Sequence, residues 1–321
     1  MRWLSYLSLL LVAGAEASAA DRLIEVRRIW DAAPHNAFTD LVRFQDRWFC
    51  VFREGAAHVS PDGTLRVITS TDGQQWTSVA LITAPDADLR DAKITVTPEG
   101  KLMLCGAAAL HDRSTQSHQS LVWFSADGEH WSKAHPIGDP DIWLWRVTWH
   151  RGRAYGIGYS VRPDRFVRLY ASDDGQRFEP LVDRLHDVGY PNESSIVFAG
   201  DRAICLLRRD GQPHTGLLGV SDPPYRDWTW RDLGVRIGGP HLLKMSDGRY
   251  LSVVRLHDGK VRTALCQIDP DAGSLQELLP LPSSGDSSYA GLVEHAGELW
   301  VSYYSSHETK TSIYVARIGL E

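Results

Sequence analysis

The chain has 321 residues, enough for one large domain or two ordinary ones. Hydrophobic residues at 43% and charged residues at 23% give an ordinary globular composition. The formal net charge is -6 with both signs scattered, which excludes the basic footprint of a nucleic-acid binder.

The first element is MRWLSYLSLLLVAGAEASAADRL. Arg2 gives a short positive start, Leu4 to Ala13 an apolar core, and Ala17-Ser18-Ala19-Ala20 small residues for cleavage. The apolar run is too short to span a bilayer, so residues 1 to about 20 read as a secretory signal peptide. No later stretch is apolar enough to span. Residues 21–321 are therefore expected as an exported, secreted or periplasmic protein with no membrane insertion after cleavage. Export permits disulfides. Cys50, Cys105, Cys205 and Cys266 each sit in an apolar strand-like run with no close pairing, and read as buried free thiols. No metal signature is present, and His111 and His118 lie in a polar loop without supporting ligands.

Next in the chain comes LIEVRRIW, Leu23 to Trp30, a lone strand. After it, a strand, a turn and a second strand recur. The turn and second strand read QDRWFCVFR, EGKLMLCGA, RGRAYGIGY, GDRAICLLR, DGRYLSVVR and AGELWVSYY. Six copies roughly 46 to 55 residues apart match the spacing of propeller blades. Three motifs share the form S-x-D-G-x-x-aromatic: Ser70 to Trp76, Ser125 to Trp131 and Ser172 to Phe178. Each follows a short apolar strand, and Asp-Gly at a strand end builds a tight turn. Strands alternate with Gly, Asp and Pro turns throughout, with little 3.6-residue periodicity, which is the all-β signal. Six such sheets around an axis form a β-propeller. The sixth repeat is short, so Leu23 to Trp30 is expected to complete it as the outer strand and close the ring. No linker divides the chain, which predicts one domain.

Two columns emerge from the repeats. Six residues after each turn stand Arg53, Ala107, Tyr159, Arg208, Arg255 and Tyr304. Nine residues before it stand Phe38, Ala92, Leu144, Glu193, Pro240 and Tyr289, with Asp91 the equivalent if the second turn is one residue longer. Both columns are expected at the mouth where the innermost strands begin. Three arginines in one column suggest a shared anion-binding surface, and bidentate arginine suits carboxylate or sulfate.

At these residues the sequence resembles the sialidase-like superfamily of six-bladed propellers. The three S-x-D-G-x-x-aromatic motifs look like shortened Asp-boxes of that family, over most of residues 36 to 321. The resemblance implies a nucleophilic tyrosine on the sixth blade, matched by Tyr289, and a partner glutamate on the fourth, matched by Glu193. An unaided tyrosine, with a pKa of about 10, needs such a base. Arg208 or Arg209 fits the arginine that follows that glutamate, and Arg255 the next. Strand alternation lets only one of Arg208 and Arg209 face the site, and the column favours Arg208. The family's first-blade arginine has no match in His35 to Asp40, and Arg53 or Arg90 is the candidate substitute. The family's acid lies in the loop after the first blade's second strand. Here His58 stands in that loop, with Asp91 at the next blade's mouth, and either is a candidate proton donor. Tyr159, Tyr304 and His241 complete the candidate substrate-binding set. The expected activity is release of a terminal anionic sugar from a glycan by a monomer without metal or cofactor. Two other readings fit the same residues: a lyase acting on a uronate-containing glycan, and a non-catalytic glycan-binding propeller.

Overall fold

A computed structural model describes residues 21–320; the expected signal peptide lies outside them. The chain forms six four-stranded antiparallel sheets, each a simple meander from the innermost strand outwards. Blades one to five each take four consecutive strands between His35 and Leu281. Blade six takes Ser287–His295, Glu298–Ser305 and Ser312–Gly319 from the C-terminal end, and Arg22–Trp30 from the N-terminal end. That closing strand pairs antiparallel with Ser312–Gly319, from Arg22 opposite Gly319 to Trp30 opposite Ile313. The ring is therefore shut by both ends of the chain, which leaves no open seam between blades.

Second strands such as Arg47–Gly55 are apolar on both faces because neighbouring blades pack on either side. Phe49, Val51 and Leu65 of the first blade meet Leu89, Ile94, Leu102 and Leu104 of the second in one such layer. All four cysteines are buried free thiols within these strands.

The S-x-D-G-x-x-aromatic turns close the third strands of blades one to three. In the second, Asp127 Oδ1 accepts the N–H groups of Glu129 and His130 at 2.8 Å each, and Ser125 Oγ accepts that of Gly128. Trp131 Nε1 donates to Gly128 O, so the aromatic folds back beneath its turn. The glycine presses on the preceding blade. A Cβ on Gly73 would meet Trp300 at 2.3 Å, and one on Gly128 would meet Phe49 at 2.2 Å. Trp300 and Phe49 hold the same place, two residues past the turn, in blades six and one. The motif thus locks one blade to the next.

Every innermost strand carries a two-residue bulge at one level. Register jumps between Ala37 and Asp40, Arg90 and Lys93, Leu144 and Val147, Pro191 and Ser194, Gly238 and His241, and Ser288 and Gly291. Two residues there oppose one on the second strand, which bends the strand and re-aims its side chains. Phe38, Asp91, Gly239 and Tyr289 lead their bulges with φ between 53° and 61°. In blade three the bulge holds Trp145 and Arg146, so the expected Leu144 lies one residue outside it. In blade four Glu193 is the second bulge residue, whereas Tyr289 is the first in blade six.

Gly128 has φ +78° as well as no room for a Cβ. Gly128→Ala is expected to lower stability by about 1–3 kcal/mol, read as a fall in the urea midpoint at unchanged m-value.

Candidate active site

The bulges open into a cavity of about 850 Å³ at the end of the ring where the innermost strands begin. Tyr289 and Glu193 face each other in it. Tyr289 Oη donates to Glu193 Oε1 at 2.6 Å. Arg208 Nη1 donates both to Glu193 Oε2 at 2.7 Å and to Tyr289 Oη at 2.9 Å. The third bond to the carboxylate comes from the Gly239 N–H, 2.9 Å from Oε2. Glycine is needed there twice over: φ is +55°, and a Cβ would lie 2.8 Å from the Tyr289 ring.

Behind this trio, Arg208 turns its Nε and Nη2 to Asp210 at 3.1 and 3.0 Å. Asn192 also donates to Asp210, at 2.9 Å. Burial raises the Tyr289 hydroxyl well above the ordinary tyrosine range, and the Glu193 charge adds to this against Arg208 and Arg255. The hydroxyl is therefore protonated at rest. Any nucleophilic role requires its proton to pass to Glu193 Oε1 during attack.

Asp91 lines the same cavity. Burial pushes its carboxyl up, the nearby Glu193 adds to that, and Arg90 and Lys93 pull the other way. Arg90 donates to Asp88 at 3.2 Å and lies over the Phe38 ring. Tyr159 stacks on Trp143 at 5.7 Å and 12° to form an aromatic wall. His58 enters from the loop after the first blade's second strand. Its Nδ1 lies 2.6 Å from Asp286 Oδ2.

The cavity therefore brings together Tyr289, Glu193, Arg208, Asp91, Arg90, Tyr159 and His58. The other expected residues lie outside it. Arg53 is fully buried beneath the rim. Its guanidinium is used up by Asp88 at 2.8 Å, Ala57 O at 2.9 Å, and Ser60 O and Oγ at 3.1 and 3.0 Å. The strand ends on an arginine to hold the following loop, and Arg53 is corrected from a substrate ligand to a structural tie. Arg209 points to the opposite face of its strand, onto Asp232 and Thr215. Tyr304 is fully buried and donates to Asp286 at 2.7 Å. Arg255 packs over the Tyr289 ring at 5.5 Å and donates to Ser287 O, one layer behind the cavity wall. His241 lies below the mouth, with Nδ1 2.9 Å from Ala290 O. Burial, helped by Arg146, brings its pKa down to about 3, so it is a neutral core histidine. His111 and His118, expected in solvent, both line the cavity.

Sequence reasoning passed over Asp210, Asp88 and Asp286, the carboxylates that orient Arg208, Arg53 and His58. Asp210 and Asp286 stand in turn-like stretches, RRDG and SSGDSSY, where aspartate reads as a turn residue. Their only signal was proximity to a candidate, two residues after Arg208 and three before Tyr289.

No protein-family model matches the sequence, and no curated protein does. Solved structures do share the fold. A Dyadobacter fermentans protein of unknown function aligns with TM-score 0.83 at 17% identity, over 94% of this chain and 100% of its own. A Trypanosoma rangeli sialidase bound to the inhibitor DANA aligns with TM-score 0.68 at 13% identity, over 89% of this chain. This chain spans only 55% of that sialidase. A Penicillium chrysogenum α-L-arabinanase complexed with arabinobiose aligns with TM-score 0.67 at 12% identity, over 93% and 98% of the two chains.

Two predictions separate structural from functional residues. Arg53→Ala strips Asp88 of its closer cation, leaving Arg90 at 3.2 Å, frees the carbonyls of Ala57 and Ser60, and is expected to cost about 3 kcal/mol in urea unfolding. A surface-exposed ligand arginine would cost far less. The second concerns pH. His241 is neutral in the fold but takes a proton near pH 6.5 when unfolded. Its contribution is fully present above pH 6.5 and is lost as pH falls toward 3. His241→Gln is expected to flatten the decline of the urea midpoint between pH 6.5 and 4. At these residues and distances, the chain is a six-bladed propeller of sialidase-like architecture with one end hollowed into a polar cavity.

Proposed function

We propose that the protein is a glycoside hydrolase that releases a terminal sugar carrying an acidic group from a glycan. The observation that carries this reading is the buried Tyr289–Glu193–Arg208 trio facing the cavity. A tyrosine nucleophile requires a carboxylate within hydrogen-bond reach, and Tyr289 has one at 2.6 Å on the cavity wall, with Arg208 bonded to both groups. The sugar ring would lie against Tyr289 and the Trp143–Tyr159 wall. Arg90 would meet the acidic group from the second blade. Tyr289 Oη attacks the anomeric carbon as its proton moves to Glu193. The departing oxygen takes a proton from the cavity wall, where Asp91 and His58 are both presented. Water then releases the sugar from the tyrosine. The T. rangeli sialidase, known in a covalent intermediate with 2,3-difluorosialic acid, supports the reading by fold. The signal-like N terminus adds an exported location to the proposal.

The test incubates purified protein with sialosides, uronic-acid glycosides and sulfated glycans, beside Tyr289→Phe. Sugar release is expected from wild type and a loss of at least about 10³-fold in the variant, with the far-UV spectrum unchanged. Absorbance from an unsaturated uronate would move the protein to the lyases. Glycan binding without any turnover would leave a non-catalytic propeller.

A further inference from the structure

The geometry points to His58 as the proton carrier of this site and to Asp286 as the residue that positions it. This rests on the hydrolase reading and adds a residue from outside the cavity lining. Asp286 stands in the turn before the innermost strand of blade six. One of its oxygens faces both His58 Nδ1 at 2.6 Å and His35 Nε2 at 3.0 Å, and the other accepts from Tyr304 Oη at 2.7 Å. Against the effect of burial, the hydrogen bonds from His35, His58 and Tyr304 hold the Asp286 carboxyl well below its ordinary range. It is therefore a carboxylate, and both imidazole nitrogens facing it carry protons.

That fixes the His58 tautomer. With the proton on Nδ1, the neutral ring has its lone pair on Nε2. Among the described residues nothing bonds Nε2, and His58 lines the cavity. The Phe38 ring lies 5.0 Å from the His58 ring and 5.2 Å from the Tyr289 ring, so one side chain buttresses both. The charged and titratable groups around the dyad are Asp286, His35, Tyr304 and Arg255, the last 3.7 Å from Asp286.

In the first step the imidazolium form of His58 gives its Nε2 proton to the departing glycosidic oxygen, which keeps the electron pair of the broken C–O bond. Tyr289 Oη forms the new bond and its proton rests on Glu193. In the second step His58 Nε2 takes a proton from water as the water oxygen attacks the anomeric carbon. The tyrosine oxygen leaves and regains its proton from Glu193. Proton count and charge return to the start.

His35, His58 and Asp286 also place ligand atoms within 4.8 Å of one another, a spacing that suits a divalent metal. Two features favour the proton relay. His35 Nδ1 is buried without a partner, so a metal on Nε2 would leave an N–H there with no acceptor. The Arg255 cation beside Asp286 also opposes a second positive charge.

The experiment is NMR of the full chain with ¹⁵N-labelled histidine, His58 being assigned with His58→Gln. Neutral His58 is expected as the Nδ1–H tautomer in wild type, and as largely Nε2–H in Asp286→Asn. An Nε2–H or mixed ring in wild type overturns the proposal even if no variant folds. So does added Zn²⁺ that shifts His35 and His58 together at stoichiometric concentration. On whichever panel glycan wild type cleaves, Asp286→Asn is expected to lower kcat by about 10²-fold or more with KM little changed, and Asp286→Glu to recover part of it. Unchanged kcat in Asp286→Asn overturns the proton-carrier role. A panel that gives no cleavage at all, with the Nδ1–H tautomer present, overturns the hydrolase and leaves the dyad standing.

Discussion

The two-residue bulge in each innermost strand is the constraint on which the site depends. Without it the six strands would run past the mouth with regular alternation, and half the side chains at that level would face neighbouring blades. The bulge turns Phe38, Asp91 and Tyr289 toward the axis at the cost of a left-handed backbone, which for bulky residues costs roughly 1 kcal/mol or more each. That cost is met by ties from blade to blade just below. Thr39 Oγ1 donates to Tyr289 O at 2.9 Å. Asp40 accepts from Ile94 N at 2.9 Å and from Arg146 at 2.8 Å. Arg146 reaches on to Ala290 O. Blades one, two, three and six are thus joined at the level where the bulges sit, so the nucleophile candidate rests on a braced floor.

The fold was legible because its signals are local and repeated. A turn followed by an apolar strand, six times over, fixes blade number, and the short last repeat with a spare N-terminal strand fixes closure. Counting from a repeated turn brought both Tyr289 and Glu193 to the bulge level, though it put them in one place where the structure has Tyr289 first and Glu193 second in their bulges. The count slipped at Leu144, where the blade-three bulge sits one residue off.

The role of each arginine was not legible, and the reason is physical. Three arginines share a repeat position, but the acceptors that decide their fates differ from blade to blade. Asp88, 35 residues beyond Arg53, meets it from the next blade and draws it under the rim. Asp210 lies beside Arg208 and holds it level with Glu193. Arg255 donates to Ser287 O, lies 3.7 Å from Asp286, and packs behind Tyr289. A side chain with five donors goes where acceptors are, and acceptors in a propeller come largely from adjacent blades.

This changes what the arginines can do for a substrate. Arg208 has its Nε and Nη2 on Asp210 and its Nη1 shared between Glu193 and Tyr289. An arginine so engaged holds Tyr289 and Glu193 in place, and an incoming carboxylate would have to displace a largely buried ion pair to seize it. Truncating one partner of such a pair leaves the other unpaired, so displacement is costly. Under the proposed hydrolase reading, an acidic group would instead meet the second blade, where Arg90 lines the cavity, bonded to Asp88 at 3.2 Å and 4.0 Å from Asp91, with His118 on the same wall. The architecture is sialidase-like, but of the arginine column only Arg208 lines the cavity, and the other arginines there, Arg90 and Arg113, come from the second blade.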